Sequence, residues 1–311
     1  MPTIQKGFEE MFCKAGKSGD FAAYTALMVS MFVALLALNV GAQQSSGVPN
    51  PHADVVSIGG SVTEIVVALG QQHRLKARDT SSSYPPDVMA LPDVGYMRAL
   101  SPEGVLSVGP SLILSEEGAG PVEALDVIRA ADVAFVEVPN ALDAEGILHK
   151  IEVIGAALDV PEKAGELKDE VGRALAAAIG DADRPEAEKK RVLFVLSTEG
   201  GKINASGTGT AADAIIRMAG GINAVTGYEG YKQITDEAVG LAAPDVILMM
   251  TRGGSHGVDK DALFEMPAIR LTPAAQARAV VRMDGLLLLG FGPRTAEAVR
   301  DLNAALYGDE A

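Results

Sequence analysis

A fourteen-residue pattern occurs twice in this chain, and that recurrence limits the fold more than any other feature. Ser101-Pro102-Glu103-Gly104-Val105-Leu106-Ser107-Val108-Gly109-Pro110-Ser111-Leu112-Ile113-Leu114 aligns with Thr235-Asp236-Glu237-Ala238-Val239-Gly240-Leu241-Ala242-Ala243-Pro244-Asp245-Val246-Ile247-Leu248, 134 positions on (235 − 101). Each copy reads as a helix with a hydroxyl cap and an acid in its first turn, a proline stop, and a short buried strand. A second match, Ile65-Val66-x3-Gly70 with Ile215-Ile216-x3-Gly220, lies at an offset of 150 (215 − 65). The first half therefore carries 16 extra residues (150 − 134) between the two motifs, around positions 80–96. Two similar α/β lobes are expected. Ligands of such sheets sit beyond the carboxyl ends of the strands, so facing lobes form a cleft.

The remaining pattern fills in around that repeat. Val55-Val56-Ser57-Ile58 predicts a strand ended by Gly59-Gly60, with Ser61 capping a helix over 62–69. Further strands are expected at 112–114, 134–138, 192–196 and 246–250. Residues 142–180 are rich in Ala, Leu, Glu and Lys, with apolar residues at helical spacing and a break near Pro161, and a polar, charged stretch follows over 181–190. Within the first of these, 162–179 predicts one helix about 27 Å long at ~1.5 Å per residue. The expected organisation is an N-terminal α/β lobe over 54–141, a linking helical segment over 142–190 and a C-terminal α/β lobe over 191–311.

Ahead of the lobes, residues 21–42 form an uncharged apolar run, preceded by Lys6, Lys14 and Lys17 and closed by Val40-Gly41-Ala42. This is the layout of a secretory signal peptide over 1–42, cleaved near Ala42, with 43–53 as a flexible lead-in. The run approaches the length that spans a bilayer, so an uncleaved anchor is the alternative. Either way the remainder is exported to the periplasm. Cys13 precedes the run, where a lipid-anchor cysteine would follow it. As the single cysteine it also excludes an internal disulfide framework and CxxC zinc sites. The net charge of −15 argues against a nucleic acid or an anionic membrane surface as the main partner.

No GxSxG, HExxH or GxxxxGK[ST] motif occurs. Gly207-Thr208-Gly209 precedes a helix, but no strand is read directly before it, so it is taken as a helix-entry turn. His52, His73, His149 and His256 lack metal-ligand spacing. The added segment of the first half holds Thr80-Ser81-Ser82-Ser83-Tyr84-Pro85-Pro86, in which Pro85 biases Tyr84 to an extended backbone. The loop Thr251-Arg252-Gly253-Gly254-Ser255-His256-Gly257 follows a second-half strand. A tyrosine and an arginine meeting across a cleft would favour a phenolate, and a phenolate can be an axial ligand to haem iron. An ordinary loop aromatic is the plain alternative.

Several segments in order resemble one family. They are Ser57-Ile58-Gly59-Gly60-Ser61-Val62-Thr63-Glu64-Ile65, Asp79-Thr80-Ser81 with Tyr84-Pro85, and the run from Val94-Gly95-Tyr96-Met97-Arg98 to Ser107. Ala211-Ala212-Asp213, Met250-Thr251-Arg252-Gly253-Gly254, Leu271-Thr272-Pro273-Ala274 and Leu289-Gly290-Phe291-Gly292-Pro293-Arg294 follow. Over 54–308 the chain resembles the periplasmic haem-binding proteins of bacterial haem ABC importers, within the cobalamin- and siderophore-binding type. The resemblance implies two Rossmann-like lobes bridged by one long helix, a class III periplasmic binding protein.

It further implies that Tyr84 is the axial ligand to ferric haem and that Arg252 stabilises its phenolate. Tyr96 and Arg98 would line the pocket or meet the propionates, with a structural ion pair the alternative for Arg98. One haem is expected, since no His lies between His149 and His256. Glu103 and Glu237 would dock the two lobes onto an inner-membrane ABC permease dimer with its ATPase, with helix-dipole complementation as their plain alternative. An outer-membrane receptor would supply the haem to a monomeric carrier that is not an enzyme. The alternatives are the same fold carrying cobalamin or a ferric siderophore, a two-domain α/β enzyme, and a zinc or manganese carrier.

Overall fold

Alternation of short apolar runs with capped helices produces the first sheet. The computed structural model describes residues 54–251 and 258–308, and the signal-peptide and lead-in expectations lie outside them. Strand β1 (Val55–Ile58), buried at every position, turns through Gly59 into helix α1 (Gly60–Ala68). Gly59 has φ +111°, and an added Cβ would sit 2.7 Å from the Glu116 Cβ, so this turn requires glycine. Then come β2 (Leu75–Arg78), α2 (Pro102–Ser107), β3 (Leu112–Glu116), α3 (Val122–Arg129) and β4 (Ala134–Val138). The four strands are parallel in the order β2-β1-β3-β4.

Helices α4 (Ala144–Ala157) and α5 (Pro161–Ala182) lead to the second sheet. With 22 residues, α5 is about 33 Å long at ~1.5 Å per residue, and it packs on α4 and on the closing helix of the fold. It continues to Ala182, past the expected end at 179, because Ala178 and Ala182 extend its buried stripe.

The second lobe contains β5 (Arg191–Ser197), β6 (Ile203–Ser206), α6 (Ala211–Met218), β7 (Ile222–Asn223), β8 (Tyr231–Ile234) and α7 (Asp236–Ala242). It continues through β9 (Val246–Thr251), α8 (Lys260–Glu265), α9 (Pro273–Ala277), β10 (Val280–Asp284), α10 (Gly285–Leu289) and α11 (Thr295–Tyr307). The path β10-β9-β5 is parallel, as is the β7–β5 pair, whereas β6 and β8 add antiparallel strands. The order β7-β5-β9-β10 thus repeats β2-β1-β3-β4.

The repeat extends to individual hydrogen bonds. Gln71 N–H donates to the Val66 carbonyl and Gly221 N–H to that of Ile216, closing α1 and α6 around Gly70 (φ +70°) and Gly220 (φ +78°). Ser101 caps α2 by accepting from Gly104 N–H, and Thr235 caps α7 by accepting from Ala238 N–H.

One apolar cluster joins the lobes, running from Val55 and Ile65 through Ile151 and Leu175 to Phe194 and Leu302. Two smaller clusters lie on the other faces of the sheets. The lobes therefore share a core through the long helix.

Three expectations are corrected. Gly59 stands at the cap position of α1 with no side-chain bond, and Ser61 is inside the helix, its hydroxyl directed to Glu116. Strands β6, β7 and β8 have no counterpart in the sequence reading, because segments of two to four residues show too little periodicity. Finally, β6 does abut Gly207-Thr208-Gly209. That turn is nonetheless occupied by its own chain: Asp213 accepts from Gly209 N–H, and Thr210 accepts from Asp213 N–H. Among the described residues, no helix is long and apolar enough to cross a membrane.

Candidate functional site at the interlobe cleft

The loop that carries Tyr84 leaves β2 and is anchored by a buried carboxylate. Asp79 is fully buried and accepts from Gly59 N–H (3.0 Å), Ser81 N–H (2.9 Å) and the Ser82 hydroxyl (2.7 Å). The chain of hydroxyls continues from Ser82 to Thr63 (2.6 Å) and from Thr63 to Ser57 (2.7 Å). A buried carboxylate must be satisfied, so this network fixes the loop against the end of β1 and the start of α1. On its outer side, Thr80 N–H donates to the Gly95 carbonyl, and Asp93 accepts from Thr80, Gly95 and Arg78. Burial works against the Asp93 charge, but these donors outweigh it and hold its carboxyl below the ordinary range.

This scaffold presents Tyr84 41% exposed and Tyr96 47% exposed, with Met89 also outside the core. No described residue hydrogen-bonds the Tyr84 hydroxyl. The site thus pairs exposed aromatic and apolar surface with a phenol that no described residue engages through its oxygen, which suits a flat apolar ligand with a metal centre.

The cation beside Tyr84 comes from the second lobe and is Arg294. Its Cζ lies 3.5 Å from the Tyr84 ring centroid. Its fork binds the Glu64 carboxylate twice, through Nε (3.2 Å) and Nη2. Glu64 belongs to α1 and is 6% exposed. Burial pushes its pKa up, while Arg294 pulls it down. Burial likewise opposes the charge of Arg294, but Glu64 more than compensates and holds it above the ordinary arginine value. The expected partner, Arg252, lies with His256 outside the described residues.

Behind this pair is a second buried charge. Lys150, fully buried on α4, donates to Ser61 (2.9 Å) and Asn140 (3.0 Å) and lies 3.6 Å from Glu116. Burial lowers its pKa, with Glu116 and then Glu64 acting in the opposite direction. The α1 entrance is thereby pinned between β3 and α4. A Cβ at Gly60 would run into Leu286, which shows how closely α10 of the second lobe covers it.

Arg98 is exposed, and its charge acts on Tyr231 of the second lobe. Burial raises the Tyr231 pKa, and Thr210 and Ala212 act in the opposite direction. Glu103 and Glu237 are exposed, each in the first turn of an equivalent helix, α2 and α7.

The sequence reading missed Arg294, Glu64, Asp79 and Lys150 as parts of the site. Two of them carried a signal. Glu64 is the one charged residue in the apolar helix Gly60–Ala68, and Lys150 occupies a core position between Ile147, Ile151 and Ile154. A charge at a core position announces a buried partner, although not which one.

Comparison with known proteins supplies the family. The model of the family described as "Periplasmic binding protein" matches residues 55–286. The structure of the periplasmic heme-binding protein BhuT in complex with two hemes is 40% identical, covers 82% of this chain and 97% of its own, and has a TM-score of 0.78. The apo form of the periplasmic heme-binding protein RhuT from Roseiflexus sp. RS-1 is 37% identical over 81% of this chain and 97% of its own, with a TM-score of 0.77. An uncharacterized ABC transporter substrate-binding lipoprotein of Bacillus subtilis, YvrC, is 26% identical over 82% of this chain and 80% of its own. With a family model spanning both sheets, the chain belongs to the periplasmic binding protein family.

Proposed function

We propose that this protein is an exported carrier that captures ferric haem in the interlobe cleft through Tyr84 and delivers it to an inner-membrane ABC permease. The carrying observation is the presentation of Tyr84: a half-exposed phenol on a loop locked by the buried Asp79 network, in a chain 40% identical to a heme-binding protein. A phenolate oxygen is an established axial ligand of haem iron. Exposed Tyr96 and Met89 offer apolar surface to the macrocycle, and Arg98 and Arg252 are the cations proposed for its propionates and for the phenolate. Glu103 and Glu237, one per lobe, are the proposed contacts for the permease. An outer-membrane receptor upstream and a monomeric carrier complete the reading. The carrier does no bond chemistry.

Haem titration of the purified protein tests this. The expected result is a saturating Soret band with the charge-transfer absorption of iron bound to a phenolate. Saturation at one haem per chain is the reading, and saturation at two, as in the BhuT complex, would correct it. No haem band, with binding of cobalamin or a ferric siderophore instead, would replace haem with a sibling cargo.

A further inference from the structure

We propose that Arg294 is a positioning residue for Tyr84, holding the phenol ring in place from the opposite lobe while Glu64 locks the arginine. The inference rests on the haem reading and adds to it how the ligand oxygen is aimed.

Arg294 faces two groups at once. Its guanidinium covers one face of the Tyr84 ring at 3.5 Å from the centroid, and its fork is committed to Glu64. That commitment is strong because Glu64 is buried and Arg294 is the partner that hydrogen-bonds its carboxylate among the described residues. If Arg294 swung out to meet a propionate, it would leave a buried carboxylate unpaired, which is far costlier than losing a surface ion pair. The arginine therefore stays and acts through the tyrosine.

Three elements set the geometry. Glu64 lies on α1, Tyr84 on the loop after β2, and Arg294 at the start of α11. The ring is thus carried by the first lobe and covered on one face from the second. Any displacement of α11 relative to α1 reaches the phenol oxygen directly, so the grip on the cargo depends on lobe registry.

A second stacked pair supplies the control. Arg184 lies 3.3 Å from the ring centroid of Tyr307, at the far end of α11 and away from the cleft loop. Arg184→Gln removes a similar contact and tests for a generic loss of stability.

The experiment compares Arg294→Gln, Arg294→Lys, Glu64→Gln and Arg184→Gln in the full chain. Two readouts are used: the ¹⁹F spectrum of fluorotyrosine-labelled protein without haem, with the Tyr84 line assigned by Tyr84→Phe, and the haem off-rate with its charge-transfer band. Arg294→Gln is expected to shift and sharpen the Tyr84 line, displace the band and speed haem loss about tenfold, between the scales of an exposed and a desolvated cation–π contact. Glu64→Gln should move the same readouts less. Arg294→Lys should recover part of the off-rate but not the ring signal, since an ammonium lacks the planar fork. Arg184→Gln should change only the melting temperature. Wild-type ring signal, band and off-rate in Arg294→Gln, with haem binding intact in the wild type, would overturn the inference. A wild type that takes up no haem would overturn the haem reading, and the ligand-free ¹⁹F spectrum would still report whether Arg294 fixes the ring.

Discussion

The two lobes are built from one plan and differ where each has added chain. The first lobe inserts its extra residues between β2 and α2, and that insertion carries Tyr84, Met89 and Tyr96 on a loop fastened by Asp79 and Asp93. The second lobe adds β6 and β8, extending the sheet and leaving β7 as a two-residue strand. Each lobe also places a tyrosine near the cleft, with opposite results. Tyr84 is 41% exposed with a cation on its ring, whereas Tyr231 is desolvated, and burial raises its pKa. Added loop makes a site, whereas added strand makes a wall, because an extended sheet edge consumes its own polar groups.

The strongest way to break this contrast is to remove each tyrosine oxygen. Tyr84→Phe should abolish the iron–phenolate band and weaken haem binding by about 100-fold or more, beyond the 10–100-fold cost of losing a group that merely supports a metal ligand. Tyr231→Phe should retain the band. Equal losses in the two variants, read by absorption titration, would remove the distinction between the lobes.

Charge reversal asks whether the lobes are equivalent where their plan is identical. Glu103→Lys with Glu237→Lys should leave haem binding intact and lower transport in a reconstituted importer by about 100-fold, since like charges across an interface cost several kcal/mol. Each single reversal should fall in between. Full transport by the double variant would reduce both residues to complements of the helix dipole, worth ~0.3–1 kcal/mol each.

The loop at the end of the repeated helix sharpens the comparison at one position. Gly109 and Ala243 are equivalent, and both are left-handed, at φ +63° and +41°. Ala243→Gly should stabilise the protein and Gly109→Ala destabilise it, each by roughly 1 kcal/mol, the cost of a Cβ in that region. Denaturant unfolding reads both.

The smallest effect concerns pH. The Asp93 carboxyl titrates below its ordinary value of 3.8 because, against the opposing effect of burial, Gly95, Thr80 and Arg78 favour its charged form. A depressed acid contributes stability above the unfolded value, and that contribution disappears as pH falls through the folded one. Acidification below about pH 4 should therefore loosen the Tyr84 loop before the β6–β8 strands, and Asp93→Asn should flatten that dependence. Amide exchange in the two regions measures the difference.

Much of this architecture can be read from residue order. The strand at 134–138, the helix entry at Ser101-Pro102 and the equivalence of the two halves follow from caps, proline positions and runs of β-branched residues, all local effects. The resemblance added the cleft tyrosine. Strands β6, β7 and β8 were illegible because pairing, not pattern, makes four or fewer residues a strand. Ser61 was misplaced as a cap because a serine before an apolar run looks the same whether it faces a helix end or a buried glutamate.

Sequence alone determined the repeated α/β plan and the long connecting helix, since each depends on neighbours a few residues apart, while Tyr84 as the candidate ligand came with the family resemblance. Tertiary structure alone decided what surrounds that tyrosine. Glu64 and Arg294 are 230 residues apart in the chain, and Ser61 and Lys150 are 89 apart. Such pairs form only when the core brings α1, α4 and α11 together. A charge at a core position shows that a partner must exist, because burying it alone is too costly, but only the packed fold selects which residue that partner is.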